Sequence, residues 1–277
     1  MLITGAGSFA RAFVKHLLRE GEYNRICLYS RNEHNQAMFR EEFEDDPRLR
    51  FFLGDIADRE RLKVAMRGVK TIVHSAAQKR IESCFYNSSQ VVKTNVMGTL
   101  NVIEIAAEAG VCKMVTLSSD KATNPISIYG TSKLMAESLT LSANHTYGES
   151  GPRYMSVRYG NIMNSAGSVI PRWKKSLEEG KKIFITDPNA TRFAMMQEEA
   201  VSLVISTLAN GSTKEPTIPD LPAYRLGDLA RAMGIERLIK IGLPDYEKLH
   251  ESLDGETDSS QARRLSINEL REMIKSI

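Results

Sequence analysis

The sequence is poor in the features that mark secreted, membrane-embedded, metal-dependent or nucleic-acid-binding proteins. Its 277 residues contain three cysteines and one tryptophan. Cys27, Cys84 and Cys112 cannot all pair, and their separation matches no metal-ligand pattern, so neither a disulfide framework nor a metal site is expected. Cys27 and Cys112 fall in apolar, strand-like runs, where a core thiol is the expected role. Such cysteine usage suits a reducing cytoplasm. No stretch is long and apolar enough to cross a bilayer, which argues against membrane insertion. A charge excess of one sign is missing too: 37 Lys and Arg against 34 Asp and Glu leave +3, which does not point to nucleic acid. Internal repeats are absent. Met1-Leu-Ile-Thr-Gly5 already reads as a strand entering a turn, so no signal peptide is expected.

What is present is a rhythm. With 42% hydrophobic residues the chain can bury one full core and a smaller satellite. Short apolar runs at Met1–Thr4, Arg25–Ser30, Leu49–Leu53, Thr71–His74, Met114–Leu117 and Tyr154–Tyr159 read as strands. Helical patterns at Ala10–Glu20, Arg59–Met66 and Asn95–Ala109 separate several of them. This alternation predicts an α/β fold, a Rossmann-like doubly wound parallel sheet. After Tyr159 the rhythm breaks into a Gly/Ser/Asn-rich loop at 161–171, helices near Arg172–Glu179, Gln197–Leu208, Leu226–Met233 and Ile267–Ser276, and a short strand at Ile183–Ile185. A smaller, discontinuous C-terminal domain that binds substrate is therefore expected. Residues 1–160 plus about 191–214 form the dinucleotide-binding domain, and about 161–190 plus 215–277 the small one. Asp254–Ser260 reads as the most loop-like stretch.

Two local motifs carry chemistry. Gly5-Ala-Gly7-Ser8-Phe9-Ala10 follows the first strand and opens the first helix, where backbone N–H groups and the helix dipole meet a pyrophosphate. At the end of the second strand, where an NAD-binding protein places an acidic residue, this chain has Tyr29-Ser30-Arg31. A hydroxyl beside a guanidinium suits a 2′-phosphate, so NADP is favoured, with NAD possible. The second motif is the strand Met114–Leu117 running into Ser118-Ser119-Asp120-Lys121, followed by Tyr129 and Lys133 at i and i+4 on one helix face. A tyrosine whose pKa falls beside an ammonium can take a proton from a sugar hydroxyl while a nicotinamide takes the hydride. The Tyr-x-x-x-Lys pair alone also occurs on solvated helix faces; the Gly-rich opening and the Ser-Ser-Asp-Lys strand end give it context.

Ser118 to Lys133, Lys93-Thr-Asn-Val-Met-Gly98, Val157-Arg-Tyr-Gly-Asn161, Gly167-Ser-Val-Ile-Pro171 and Glu247-Lys-Leu-His-Glu251 together resemble the inverting UDP-N-acetylglucosamine 4,6-dehydratases, extended short-chain dehydrogenase/reductases of nucleotide-sugar biosynthesis. The blocks span nearly the whole chain in family order. The resemblance implies a lyase that oxidises C4, removes the C5 proton, expels water from C6 and returns the hydride to C6, inverting C5. It implies that Tyr129 with Lys133 removes the O4 proton, that Ser119 hydrogen-bonds the same hydroxyl, that Lys121 is the base at C5 and Asp120 the acid at C6. Around the cofactor it implies Gly5, Gly7, Ser8, Phe9, Ser30 and Arg31, then Asp55-Ile56 at the adenine, Ser75-Ala76-Ala77 along ribose and pyrophosphate, and also Tyr129, Lys133 and Tyr159. Asn95 is either a cofactor contact or a structural clamp. Lys79, Asn161, Ser168, Val169, Arg192 and Glu247 match positions lining the UDP-sugar pocket, with Arg192 expected on the diphosphate. Arg158 reads equally as part of a structural ion pair. A homo-oligomer is implied as well, with the helices Asn95–Ala109 and Tyr129–Ser142 as interface surfaces.

The sequence departs from that pattern in four places. The Gly-rich loop is a residue short, Ser165-Ala166 stands where an arginine is usual, Pro244-Asp-Tyr246 replaces an Arg-Pro-Gly, and the C-terminal domain is compact. Two other readings stay open. A nucleotide-sugar 4-epimerase needs Tyr129 and Lys133 but not Asp120 or Lys121, and a non-catalytic NADP-binding scaffold needs none of them.

Overall fold

The computed structural model describes residues 1–165 and 167–277; the departure at Ala166 lies outside the described residues. Six parallel strands form the central sheet: β1 (Leu2–Thr4), β2 (Ile26–Ser30), β3 (Leu49–Leu53), β4 (Thr71–His74), β5 (Lys113–Leu117) and β6 (Arg153–Val157), in the spatial order β3-β2-β1-β4-β5-β6. The order reverses between β1 and β4, so the crevice at their C-terminal ends is the switch point at which α/β sheets bind ligands.

The connecting helices are α1 (Ser8–Glu20), α2 (Glu33–Glu42), α3 (Arg59–Met66), the short α4 (Ile81–Tyr86) and α5 (Ser88–Val91), α6 (Gly98–Glu108) and α7 (Ile128–Tyr147). One face of the sheet packs Ile3, Val73 and Val115 against Phe13, Val14 and Leu17 of α1. The other packs Leu2, Ile72 and Met114 against Leu62 of α3 and Val102 and Ile105 of α6. Strands buried on both faces explain the continuous apolar runs. Helix α2 is not visible in the hydrophobic pattern because only Gln36 and Phe39 are buried; the Asn32 side chain, accepting from Asn35 N at 2.9 Å, caps it.

Beyond β6 come β7 (Asn161–Ile162), α8 (Val169–Glu178), β8 (Phe184–Ile185), β9 (Thr191–Met195), α9 (Gln197–Asn210), β10 (Ala223–Arg225), α10 (Leu226–Ala232), β11 (Ile239–Lys240) and α11 (Ile267–Lys275). Strands β10, β9 and β7 make a small sheet, and β11 pairs with β8. Within the segment 191–214 the division is finer than expected. Strand β9 joins the small sheet, whereas α9 lays Ala200, Val201, Val204 and Leu208 into the core shared with β1. A third core gathers Trp173, Ile185, Tyr224, Leu229 and Leu270.

One local expectation changes, and one stretch read as loop is a loop held by its own hydrogen bonds. Cys112 is exposed at the entrance to β5 instead of serving as a core thiol. Asp254–Ser260 is a tied turn: Asp254 accepts from Glu256 N and Thr257 N at 2.9 Å, and Ser259 is fully buried against Thr191.

Candidate active site

The cofactor end of the crevice is built from backbone. Gly5 has φ +91°, a conformation strained for any side chain, and a Cβ there would lie 3.0 Å from Ser75 Oγ and 3.1 Å from Ala76 N. The loop is thus pressed against the exit of β4, and Ser75 Oγ locks it by donating to Thr4 O at 2.6 Å. Gly7 differs: nothing lies within 4 Å of its missing Cβ. It is the N-cap of α1, whose first turn has no side-chain cap and no acidic residue. Open space over uncapped N–H groups at a positive helix end fits a dinucleotide pyrophosphate. Ser8 is half-buried there, while the Phe9 side chain turns into the core and stacks on Phe13, leaving only its backbone for the cofactor.

Further along, the Arg31 guanidinium is exposed and pairs with Asp55 Oδ2 at 3.1 Å, and Ser30 Oγ accepts from Gln36 Nε2 at 3.1 Å. Asp55 Oδ1 also accepts from Ala57 N, and Ile56 is a core residue under Gly98. Ala76 and Ala77 are half-buried beyond β4. A cavity of about 340 Å³ opens beside them, with Arg31, Gln78, Lys79 and Arg80 in its wall.

For Asn95 the contacts within the protein fit the structural alternative. It sits in a π-helical turn, Val92–Met97, whose extra width swings the side chain inward. Its Oδ1 accepts from Gln78 N at 2.8 Å, and its Nδ2 donates to Gln78 O and Ser132 Oγ. Both ends of the amide are hydrogen-bonded inside the protein, so Asn95 clamps the loop after β4 to α7.

The chemistry end is built from side chains. Ser119 leaves β5 extended and caps a one-turn 3-10 helix, Asp120–Ala122. Asp120 is fully buried; its Oδ1 accepts from Ser119 Oγ at 2.8 Å and from Lys121 Nζ at 3.0 Å. Lys121 Nζ also donates to Asn161 Oδ1 at 3.3 Å and lies 3.4 Å from Glu251 Oε1. Tyr129 and Lys133 both project buried from α7, Tyr129 toward Lys121 and Lys133 toward the end of β5. Tyr159, also buried, packs close by, and Asp120 N donates to its carbonyl at 3.0 Å.

The electrostatics differ from the sequence-based expectation. Burial pushes the Tyr129 phenol up to about 12, outweighing the downward pull of Lys121 and of its hydrogen bond to Ser119. Lys133 does not supply that pull: its ammonium donates to Leu117 O, and burial brings it down to about 8 against the opposing field of Glu137. The cation beside the phenol is therefore Lys121. The Lys121 ammonium is itself held well above the usual lysine range, because Asp120 and Glu251 together outweigh desolvation and Arg192. Two carboxylates against one amine settle a balance that Asp120 alone left open. Glu251 was missed as a site residue because its side chain reaches Lys121 across 130 residues; the only signal was its place at the end of Glu247-Lys-Leu-His-Glu251.

The expected diphosphate group meets a different arrangement. Arg192 is 3% exposed, and its guanidinium donates to Thr191 O at 2.7 Å and Leu249 O at 3.2 Å and pairs with Glu247. It ties β9 to the C-terminal segment and is not an open anion clamp, and Glu247 is its partner. Ser168, the N-cap of α8, has a buried Oγ without a partner among the described residues, and Val169 packs on the small-domain core. Asn161 stands beside Lys121, whereas Lys79 is in the cavity wall. Arg158 forms a buried ion pair with Glu137 and donates to Leu253 O at 2.7 Å. His250 Nδ1 lies 2.8 Å from Thr191 Oγ1, a folding contact.

Sequence and fold are shared with known proteins. The sequence profile of the family described as "Polysaccharide biosynthesis protein" matches residues 1–269. A Campylobacter jejuni protein named UDP-N-acetylglucosamine 4,6-dehydratase (inverting) is 40% identical over 262 residues, 94% of this chain and 78% of its own. A Rickettsia rickettsii protein named UDP-glucose 4-epimerase is 34% identical over 271 residues, 95% of this chain and 79% of its own. Among solved structures, Pen from Bacillus thuringiensis superposes with a TM-score of 0.93 at 33% identity, over 100% of this chain and 98% of that one. DesIV of Streptomyces venezuelae, a dTDP-glucose 4,6-dehydratase solved with NAD, shares the fold at TM-score 0.84 and 23% identity, over 99% and 95% of the two chains. The chain belongs to the polysaccharide biosynthesis protein family and is a relative of the inverting UDP-N-acetylglucosamine 4,6-dehydratases.

Proposed function

We propose that the protein is a nucleotide-sugar 4,6-dehydratase that converts UDP-N-acetylglucosamine to the 4-keto-6-deoxy sugar with inversion at C5. The observation that carries this reading is the convergence of Ser119, Asp120, Lys121 and Tyr129 on one buried corner, with Asp120 and Lys121 3.0 Å apart. A bound nicotinamide dinucleotide supplies hydride acceptance from C4 and its return to C6. Tyr129 Oη, once deprotonated, receives the O4 proton, and Asp120 Oδ1 takes a proton from Lys121 Nζ across their 3.0 Å contact. A protonated Asp120 is then the acid that delivers this proton to the departing C6 hydroxyl. Lys121 Nζ, left neutral by that transfer, removes the C5 proton made acidic by the C4 ketone, and a solvent proton adds to the opposite face of C5 as the hydride returns to C6. NADP is the preferred cofactor, because Arg31 is exposed at the end of β2 where an acidic residue would repel a 2′-phosphate. Exposed Val92, Met97, Leu134 and Met135 near and on α6 and α7 support a homo-oligomer, which sizing with light scattering checks.

The test is proton NMR of the protein with UDP-N-acetylglucosamine and NADP in deuterated water. A new C6 methyl signal with deuterium at C5 is expected, and the ring couplings report the inversion. The 34% identity to a protein named UDP-glucose 4-epimerase supports a second reading, a 4-epimerase. That reading predicts a changed C4 configuration, no methyl signal and no deuterium at C5.

A further inference from the structure

Glu251 is 1% exposed, yet one of its carboxylate oxygens, Oε2, accepts no hydrogen bond among the described residues. A buried carboxylate left half unsatisfied is costly and calls for a reason. Its backbone is fixed by Ser259, whose Oγ accepts from Glu251 N at 3.0 Å and whose N donates to Glu251 O at 2.7 Å. The side chain is thereby aimed from the C-terminal segment at Lys121, with Oε1 3.4 Å from Nζ. We propose that Glu251 is the positioning residue that holds the Lys121 ammonium between two carboxylates and sets how readily that amine gives up its proton. It acts through Lys121 and not on the sugar. The inference deepens the dehydratase reading and rests on it for its catalytic meaning, though not for its electrostatics.

Several charged or titratable groups face this amine. Asp120 stands on its own turn, Tyr129 on α7, Arg192 on β9 and Tyr224 on β10. Lys248, on the C-terminal segment, donates to Thr123 O at 2.5 Å and lies 3.9 Å from Glu251 Oε2. Asp120 is needed at C6 and is engaged by Ser119 as well as by Lys121, so Glu251 is the carboxylate that faces this amine without a role at the sugar. It also makes the dehydration corner a product of both domains: the amine comes from the strand end of the large sheet, its counter-ion from the small domain.

The test compares the full chain with Glu251→Gln and Glu251→Asp, each labelled with 13Cε-lysine and assigned with Lys121→Arg. The Lys121 resonance in Glu251→Gln is expected to titrate lower than in the unaltered protein by about one pH unit or more, the scale of one charge at close range. Glu251→Asp is expected to restore most of the difference. In turnover, the acidic limb of the pH–kcat profile for Glu251→Gln moves to lower pH and KM for the sugar nucleotide stays unchanged. An unmoved Lys121 titration in a folded Glu251→Gln protein overturns the proposal, as does a rise in KM alone. Failure of the unaltered protein to form the C6 methyl product overturns the dehydratase reading instead, and the titration still decides the role of Glu251.

Discussion

The two ends of the crevice are made of different material. At the cofactor end, contiguous residues do the work: a glycine pressed on β4, a second glycine with open space above it, and an uncapped helix N-terminus. At the chemistry end the residues are buried and half-buried charged and polar groups gathered from separate stretches, Asp120 and Lys121 from the end of β5, Asn161 from β7, Arg192 from β9 and Glu251 from near the C-terminus. Backbone donors are present wherever the chain turns correctly. Buried charges must be balanced by partners, and those partners come from a distance. The cofactor end is thus a property of local sequence, and the chemistry end a property of the complete fold.

The sharpest way to break this contrast is to remove the amine. Lys121→Ala is expected to lower dehydration by about 10²- to 10⁴-fold, the usual contribution of a positioned base. NADP binding should persist, because the cofactor end does not depend on Lys121. Calorimetry with NADP beside the NMR assay checks both halves; loss of both would show the two ends to be one unit. Next in size is the strut between α7 and the C-terminal segment. Arg158→Leu strands Glu137, 3% exposed, without its cation and removes the donor to Leu253 O. Breaking such a buried pair costs about 3–5 kcal/mol, read as a lower urea midpoint. The C-terminal segment that carries Glu251 should loosen first, visible as faster amide exchange there.

A matched pair of glycine substitutions sharpens the comparison without touching a charge. At Gly130 an added Cβ would sit 2.2 Å from Lys121 O, a backbone atom that has to move. Gly130→Ala therefore displaces the catalytic turn, and turnover is expected to fall by up to about 10²-fold, the effect of misplacing a reacting group by about 1 Å, with NADP affinity kept. At Gly5 the added Cβ meets Ser75 and Ala76 instead. Gly5→Ala should weaken NADP binding while leaving the Lys121 titration unchanged. Identical phenotypes for the two variants would erase the distinction.

This contrast also explains how much was legible in the sequence. The sheet, most of its helices, the Gly-rich turn and the Tyr129–Lys133 spacing follow from local periodicity and motif, and the structure contains all of them. Helix α2 escaped because a helix with two buried residues has no apolar stripe to read. The small strands β7 and β10 escaped because two or three residues hold no period. At the site, composition could not tell that burial would outweigh the cations around Tyr129, nor that Arg192 would be consumed by Glu247 and two carbonyls. Both outcomes depend on depth in the fold, which spacing along the chain does not encode.

The most gradual expected effect lies at the cofactor end and is a matter of pH. His74 is buried between Thr4 and Thr99, with Nδ1 2.7 Å from Thr4 Oγ1 and Nε2 2.9 Å from Thr99 Oγ1. Thr99 spends its hydroxyl proton on Asn95 O at 2.7 Å, so it can only accept from Nε2–H. Nδ1 is then the acceptor from Thr4, and the ring is neutral. Burial, aided by the Lys133 charge, lowers His74 from 6.5 to about 3. Because the folded-state value lies below the unfolded one, the unfolded chain binds the extra proton first. The stability gained from keeping the ring neutral is complete above about pH 6.5 and is lost as pH falls toward 3. Within that window each pH unit costs up to about 1.4 kcal/mol. Urea unfolding from pH 7 to pH 4 should show that slope, and His74→Gln should flatten it. Thr4 immediately precedes Gly5, so protonation of His74 as pH nears 3 breaks the Thr4 contact beside the glycine turn, and NADP affinity should fall there and not across the whole window.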